Sequence, residues 1–211
     1  MININKMEEL LSSFLRAVFI DNMVFAYYLG MCSYFAISKN VKTSMGLGLT
    51  VMFILVFTVP INYLLENYVL VEGALSWLSK DFAGMDLSFL SLIVFITVIA
   101  SFVQLAEMFI ERFLPALYAS LGIFLPLLAV NCAILGGSLF MQQRTFTSVG
   151  HATVYGLGCG LGWLLAIVGM AAISEKLSYS NIPKPLRGLG IAFIVTGLMG
   201  FGFMCFSGLK I

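Results

Sequence analysis

Long apolar runs that are almost free of charge dominate this sequence, and they require the lipid bilayer as solvent. A helix that crosses the hydrocarbon core needs about 20 mostly apolar residues, and a charge at its centre costs several kcal/mol. Six such runs are present, so the sequence predicts six transmembrane helices. The runs cover residues 17–37, with the single acid Asp21, and residues 43–65, 87–106, 114–141, 145–174 and 188–209.

The composition excludes several other classes of protein. Hydrophobic residues make up 61% of the 211 and charged residues 10%, against roughly 25% charged in soluble domains. The net charge of +1 and the lack of a basic patch exclude an electrostatic nucleic-acid partner. The runs lack the alternation of a barrel strand, so the predicted fold is an all-α integral membrane protein. The N-terminus has no cleavable leader pattern, and we expect it to be retained.

The fourth apolar run is too long for one straight spanning helix. Its 28 residues would reach about 42 Å, whereas the hydrocarbon core is about 30 Å thick. Gly122, Pro126 and the Gly136–Gly137 pair weaken a helix here, so we predict a break around Asn131 and Cys132. The first run has a weaker interruption at residues 30–32, which include Cys32.

The two halves of the chain resemble each other weakly. Residues 29–33 (Leu-Gly-Met-Cys-Ser) align with residues 129–133 (Ala-Val-Asn-Cys-Ala), and a Gly-Leu-Gly sequence begins the next run in both halves. We divide the chain into repeats 1–112 and 113–211 with three spans each, and an odd number of spans inverts the second repeat. Broken helices of inverted repeats meet near the bilayer midplane and form the functional site there. Cys32 and Cys132 are therefore the residues that we expect to meet.

Thiolates bind iron–sulfur clusters, zinc or copper, and a four-coordinate centre needs four donors. Two thiols from one chain therefore suggest an interfacial site completed by a partner built in the same way. The alternative is that each cysteine is a small buried hydrophobe, which is the interpretation that we prefer for Cys159 and Cys205. No disulfide framework is expected, because all four cysteines lie in apolar runs.

Other polar and small residues have simpler interpretations. Gly156, Gly158, Gly160 and Gly162 have the four-residue spacing of close helix packing, and we assign the same role to Gly190, Gly197 and Gly200. The single histidine, His151, excludes a multi-histidine metal site and is expected at the membrane interface.

Asp21 and Glu107 are candidates for an ion pathway, because acids at membrane depth often serve one. Both lie near span ends, as do Gln104 and the Glu111–Arg112 pair, so simple contact with water is the alternative interpretation.

The orientation in the membrane is predicted from the positive charges. Loops after odd-numbered spans hold six Lys and Arg residues against five on the other side, which predicts an N-terminus on the outer side of the membrane. The connection 66–86, with Trp77, is expected at the interface.

Several segments carry a resemblance to a known family. They are Leu-Gly-Met-Cys from Leu29, Leu-Gly-Ile-Phe-Leu-Pro-Leu from Leu121, Val-Asn-Cys-Ala-Ile from Val130, Leu-Arg-Gly-Leu-Gly-Ile from Leu186 and Phe-Ser-Gly-Leu from Phe206. Over nearly its whole length, the chain resembles the E subunits of the sodium-translocating NADH:quinone reductases. The Asp-Leu-Ser-Phe-Leu motif at Asp86 favours these over the related A subunits of the Rnf ferredoxin:NAD oxidoreductases.

The resemblance implies a bacterial inner-membrane protein with six helices in an inverted repeat. It also implies a paralogous D subunit within a hetero-hexamer and a [2Fe-2S] cluster between the two, with Cys32 and Cys132 as two of its ligands. Sodium movement would be coupled to electron transfer, and the flavin, NADH and quinone sites would lie on other subunits, so the chain alone would be inactive. An A-type Rnf subunit, a secondary transporter with inverted repeats and a structural scaffold remain open.

Overall fold

All regular secondary structure in the described part of the chain is helical. The computed structural model describes residues 2–70, 90–113, 115, 118, 119, 122, 124–144, 146, 148–181 and 183–208. The predicted interfacial connection 66–86 lies outside these residues from position 71 onward. The helices are α1 (Ile2–Leu15, continued by a π turn at Arg16–Ile20), α2 (Met31–Ile37), α3 (Val41–Leu65, continued by a π turn at Glu66–Leu70), α4 (Ser91–Phe113), α5 (Leu125–Ala129), α6 (Cys132–Gln143), α7 (Val149–Leu177) and α8 (Leu189–Met204). Short 3-10 turns cover Lys184–Leu186 and Cys205–Gly208.

Among the described residues, three helical segments are long and apolar enough to cross a membrane. They are Val41–Leu70, Ser91–Phe113 and Val149–Leu177, and α8 is apolar but shorter. The first and fourth predicted spans do not qualify because each is interrupted: the π turn at Arg16–Ile20 and α2 cover parts of the first, and α5 and α6 cover parts of the fourth. The total of six spans stays a prediction.

The first span differs from its predicted bounds. Helical structure begins at Ile2 rather than at residue 17, and the interruption covers residues 21–30 rather than only 30–32. Charged residues near the N-terminus hide the start of this helix in the sequence, although charges do not prevent a helix outside the hydrocarbon core. Tyr28 and Gly30 have positive φ angles of 56° and 78°, so the backbone turns sharply before α2 begins.

Helix α7 is the centre of the molecule, and its glycines allow α1 and α3 to approach it closely. A Cβ atom added at Gly160 would lie 2.6 Å from the Cα atom of Met52 in α3. A Cβ atom added at Gly158 would lie 2.8 Å from the Cβ atom of Ala17. The close-packing role predicted for the glycine run is therefore confirmed. Its two other members also have close neighbours: Gly156 lies against Leu55, and Gly162 lies against Val18.

The glycines of α8 have no such close packing within the described chain. A Cβ atom at Gly197 or Gly200 would meet no described atom within 4 Å, and one at Gly190 would meet only a leucine side chain at 3.8 Å. Helix α8 packs on the core through another face, which includes the buried Thr196 and the partly buried Val195 and Met199. Spacing alone does not tell which face of a helix is turned inward.

Candidate functional site at two helix breaks

Cys32 lies in the first turn of α2, immediately after the first interruption. Gly30 is the residue that precedes the helix, and its left-handed backbone lets the chain enter α2. The carbonyl oxygen of Gly30 accepts hydrogen bonds from the backbone N–H of Tyr34 and the hydroxyl of Ser33, both at 3.0 Å. The thiol of Cys32 is exposed on the surface of the chain.

Cys132 has the equivalent place in the second interruption. It is the first residue of α6, and the side chain of Asn131 caps this helix by accepting a hydrogen bond from the N–H of Ala133 at 3.0 Å. The Cys132 thiol is exposed, and its Sγ lies 3.9 Å from the carbonyl oxygen of Val130. Each cysteine therefore lies at a helix N-terminus, where unpaired N–H groups and the helix dipole favour negative charge.

The two breaks lie against each other. A Cβ atom added at Gly30 would lie 2.9 Å from Asn131 Oδ1, 3.0 Å from the Cβ atom of Ala133 and 2.8 Å from Trp163 Nε1. The first two of these atoms belong to the start of α6, and Trp163 is on α7. The residue that precedes the Cys32 helix thus contacts the residue that caps the Cys132 helix.

Two buried N–H donors at this junction have no hydrogen-bond partner among the described residues. They are Asn131 Nδ2 and Trp163 Nε1, and both side chains are almost completely buried. A buried donor without an acceptor costs roughly 1–3 kcal/mol, so such groups are rare in folded proteins. The junction therefore contains two donors that form no hydrogen bond within the described chain.

The two exposed thiols at the helix breaks are not part of a larger ligand cluster within the described chain. The described residues contain no group of three or more His, Cys, Asp or Glu side chains that could hold a metal ion. Cys159 is fully buried in α7, as expected for a packing residue, whereas Cys205 is exposed and donates to the carbonyl oxygen of Phe201 at 3.6 Å. Neither of these two thiols lies at a helix break.

Asp21 lies at the start of the first interruption, where two arginines hold it. Its carboxylate accepts a hydrogen bond at 2.5 Å from Arg144, the residue that follows α6, and another at 3.1 Å from Arg16. The hydroxyl of Tyr27 is a third donor, at 3.3 Å. The Arg144 guanidinium also lies 5.0 Å from the ring centre of Tyr155. This ion pair ties the two interrupted segments together.

Burial lowers the pKa of the Arg144 guanidinium. The hydrogen bond with Asp21 and the charges of nearby groups raise it by more, so this pKa lies above its ordinary value. Arg144 is therefore a permanent cation and a suitable partner for the carboxylate.

The second acid predicted for an ion pathway is Glu107. It is half-buried on α4, and its neighbours Gln104, Glu111 and Arg112 are exposed. Among the other polar residues, His151 is buried near the start of α7, and its Nε2 atom has no partner among the described residues.

Sequence reasoning identifies both cysteines but not Arg144 or Trp163. Arg144 is the single charged residue between positions 113 and 174, which marks it as a group that needs a partner. Trp163 has no such signal, because a tryptophan in an apolar run resembles any other packing residue.

Comparisons with known proteins show the family to which the chain belongs. Residues 10–210 match the family model described as Rnf-Nqr subunit, membrane protein. The chain is similar to the E subunit of the Na(+)-translocating NADH-quinone reductase of Marinobacter nauticus, with 54% identity across 97% of this chain and 100% of the relative. The protein of the same name from Rhodopirellula baltica is 53% identical across 97% of this chain and 99% of the relative. The chain therefore belongs to the Rnf-Nqr family of membrane protein subunits.

Proposed function

We propose that this chain is an electron-transfer subunit of a sodium-translocating NADH-quinone reductase, and that Cys32 and Cys132 provide two of the four thiolates of a [2Fe-2S] cluster. The other two thiolates would come from a paralogous partner, the D subunit. The observation that supports this proposal most strongly is the contact between the two helix breaks, each of which presents one exposed thiol.

The chemistry of the residues fits this group. Four thiolates and an oxidised two-iron cluster have a formal charge of about −2, which must be compensated away from water. The N-termini of α2 and α6 and the two buried donors without partners, Asn131 Nδ2 and Trp163 Nε1, are positive or hydrogen-donating groups at this junction. The exposure of both thiols leaves them accessible to a second subunit.

The residues of this chain would hold and insulate the centre. When bound, the cluster would supply one-electron transfer. Cys32 and Cys132 would hold it as thiolates, and Gly30 lets the two half-helices approach because it has no side chain. Trp163 is fully buried at this junction and would help to exclude water there. The pair Asp21–Arg144 fixes the first interruption relative to the end of α6.

The wider assembly is part of the same proposal. The chain would cross the bacterial inner membrane six times as two inverted repeats, 1–112 and 113–211, with its N-terminus in the periplasm. It would work in a hetero-hexamer whose other subunits bind NADH, flavins and quinone. Electron transfer through the shared cluster would be coupled to sodium movement. Asp21 and Glu107 remain candidates for an ion pathway, although the two arginines around Asp21 favour a structural role.

The test is the iron content of the purified complex after replacement of each thiol. Cys32→Ser and Cys132→Ser should remove the cluster's electron paramagnetic resonance signal and lower quinone reduction at least about tenfold, because loss of a metal ligand costs more than loss of its supporting groups. Cys205→Ser is the matched control, because this cysteine is also exposed but lies at no helix break. The control should keep both the iron and the activity of the unmodified complex.

If both serine variants assembled with unchanged iron per complex and unchanged turnover, the cysteines would not be ligands. The chain would then be a structural scaffold. A secondary transporter would be indicated if the chain in liposomes moved a solute without any redox partner.

A further inference from the structure

A cleft of about 570 Å³ lies where α2 ends, α7 ends and α8 begins. Two basic residues line it, Lys39 just after α2 and Arg187 just before α8, and both are exposed. The described residues that line the cleft include no Asp or Glu. The charged side chains among these described lining residues are therefore both positive.

Hydroxyl groups and a helix terminus add hydrogen-bond donors to the charged side of this cleft. Ser38 and Ser174 line the cleft beside the two basic residues. Gly188, with a φ angle of 107°, directs the chain into α8, whose 16 residues begin at the cleft. The first N–H groups of a helix have no partner within it, and they favour anionic oxygen atoms.

Part of the cleft wall is apolar. Phe35, Met170 and Leu177 line it, from α2 and the last turns of α7. Because α7 is long and apolar enough to cross a membrane, its C-terminal end lies at a level where headgroups and the first methylene groups of lipids are found. A soluble phosphate would use the basic residues but would leave this apolar wall without a ligand.

We propose that this cleft binds an anionic phospholipid, with the phosphate between Lys39 and Arg187 and the start of an acyl chain along Phe35 and Leu177. Basic pockets between transmembrane helices are suited to anionic headgroups, and the apolar wall selects a lipid over a free anion. The proposal depends on the membrane location of the chain and is independent of the cluster.

Native mass spectrometry of the full chain, purified in detergent and titrated with dioleoyl phosphatidylglycerol or dioleoyl phosphatidylcholine, tests this proposal. The unmodified chain should bind the anionic lipid more tightly. The double variant Lys39→Gln with Arg187→Gln should lower this preference about 30-fold, since each basic residue near an anionic group contributes roughly fivefold. The matched control is Lys42→Gln with Lys176→Gln, which removes two exposed charges that do not line the cleft. The control should keep most of the preference.

Two further measurements distinguish lipid binding from a general loss of the fold and from the binding of a free anion. Ala36→Trp fills the cleft without changing its charge, and it should weaken lipid binding in a chain with an unchanged melting temperature. Inorganic phosphate at millimolar concentration should not displace the lipid. Equal binding of the two lipids by the unmodified chain, equal losses in the two double variants, or displacement by inorganic phosphate would each overturn the proposal.

Discussion

Gly30 is the residue on which the contact between the two breaks depends. Its φ angle of 78° is strained for any other residue, and a Cβ atom would lie 2.8 Å from Trp163 Nε1 and 2.9 Å from Asn131 Oδ1. We expect Gly30→Ala to lower the free energy of unfolding by about 2 kcal/mol or more, because left-handed backbone and steric overlap add. The measurements are the melting temperature and the iron content of the complex, and both should fall.

Gly197→Ala is the control for this prediction. It adds the same methyl group in a helix where no described atom lies within 4 Å, so stability should stay constant or rise slightly. Equal stability of the two alanine variants would show that the backbone at position 30 can relax without cost.

The ion pair between Asp21 and Arg144 is predicted to be structural. Side-chain exposures of 11% and 29% make it partly buried, so Asp21→Asn should cost about 2 kcal/mol, less than a fully buried pair. A double-mutant cycle with Arg144→Gln should give a coupling free energy of about 1 kcal/mol. If Asp21→Asn kept full stability and abolished sodium transport alone, the ion-pathway role would be correct instead.

Residues that break helices can be predicted from the sequence, whereas their partners cannot. Glycine, proline and a capping asparagine act on the backbone within a few residues, so the breaks at Gly30 and Asn131 follow from local chemistry. The contacts of Asp21 with Arg144 and of Gly30 with Trp163 join residues more than 100 positions apart. Only the folded chain brings such residues together.

At the scale of the helices, the glycine run of α7 sets how closely α1 and α3 can pack. Gly160→Leu would place a side chain where even a Cβ atom lies 2.6 Å from the backbone of Met52. Because backbone cannot move aside as a flexible side chain does, we expect a loss of about 3 kcal/mol. Gly200→Leu is the matched control on α8 and should have little effect on the isolated chain. Unfolding in mixed detergent measures the stability of both variants.

The length of each apolar run predicts the longer helices correctly but not every boundary. The apolar run 145–174 corresponds to α7, which covers Val149–Leu177, and the run 43–65 corresponds to α3. Helix α1 is not predicted as part of the first span, because its charged residues conceal it from a hydropathy criterion. The glycines of α7 and α8 have similar small-residue spacing, so only packing distinguishes the inward faces of the two helices.

At the scale of the whole molecule, two interrupted segments meet around one central helix. Trp163 of α7 lies at the contact between Gly30 and Asn131, and the Asp21–Arg144 pair links the same two segments at a second point. Two thiols and two buried donors thus lie on or against the same pair of joined segments. In the proposed function, this chain would provide half of a four-thiolate site, and a paralogous partner would provide the other half.

The most direct measurement is an anomalous scattering map, collected at the iron absorption edge, from crystals of the assembled complex. We expect iron density beside the sulfur atoms of both Cys32 and Cys132, at an interface with a second subunit. Iron density bonded to neither sulfur, or no iron in a complex that still reduces quinone, would contradict the proposed cluster.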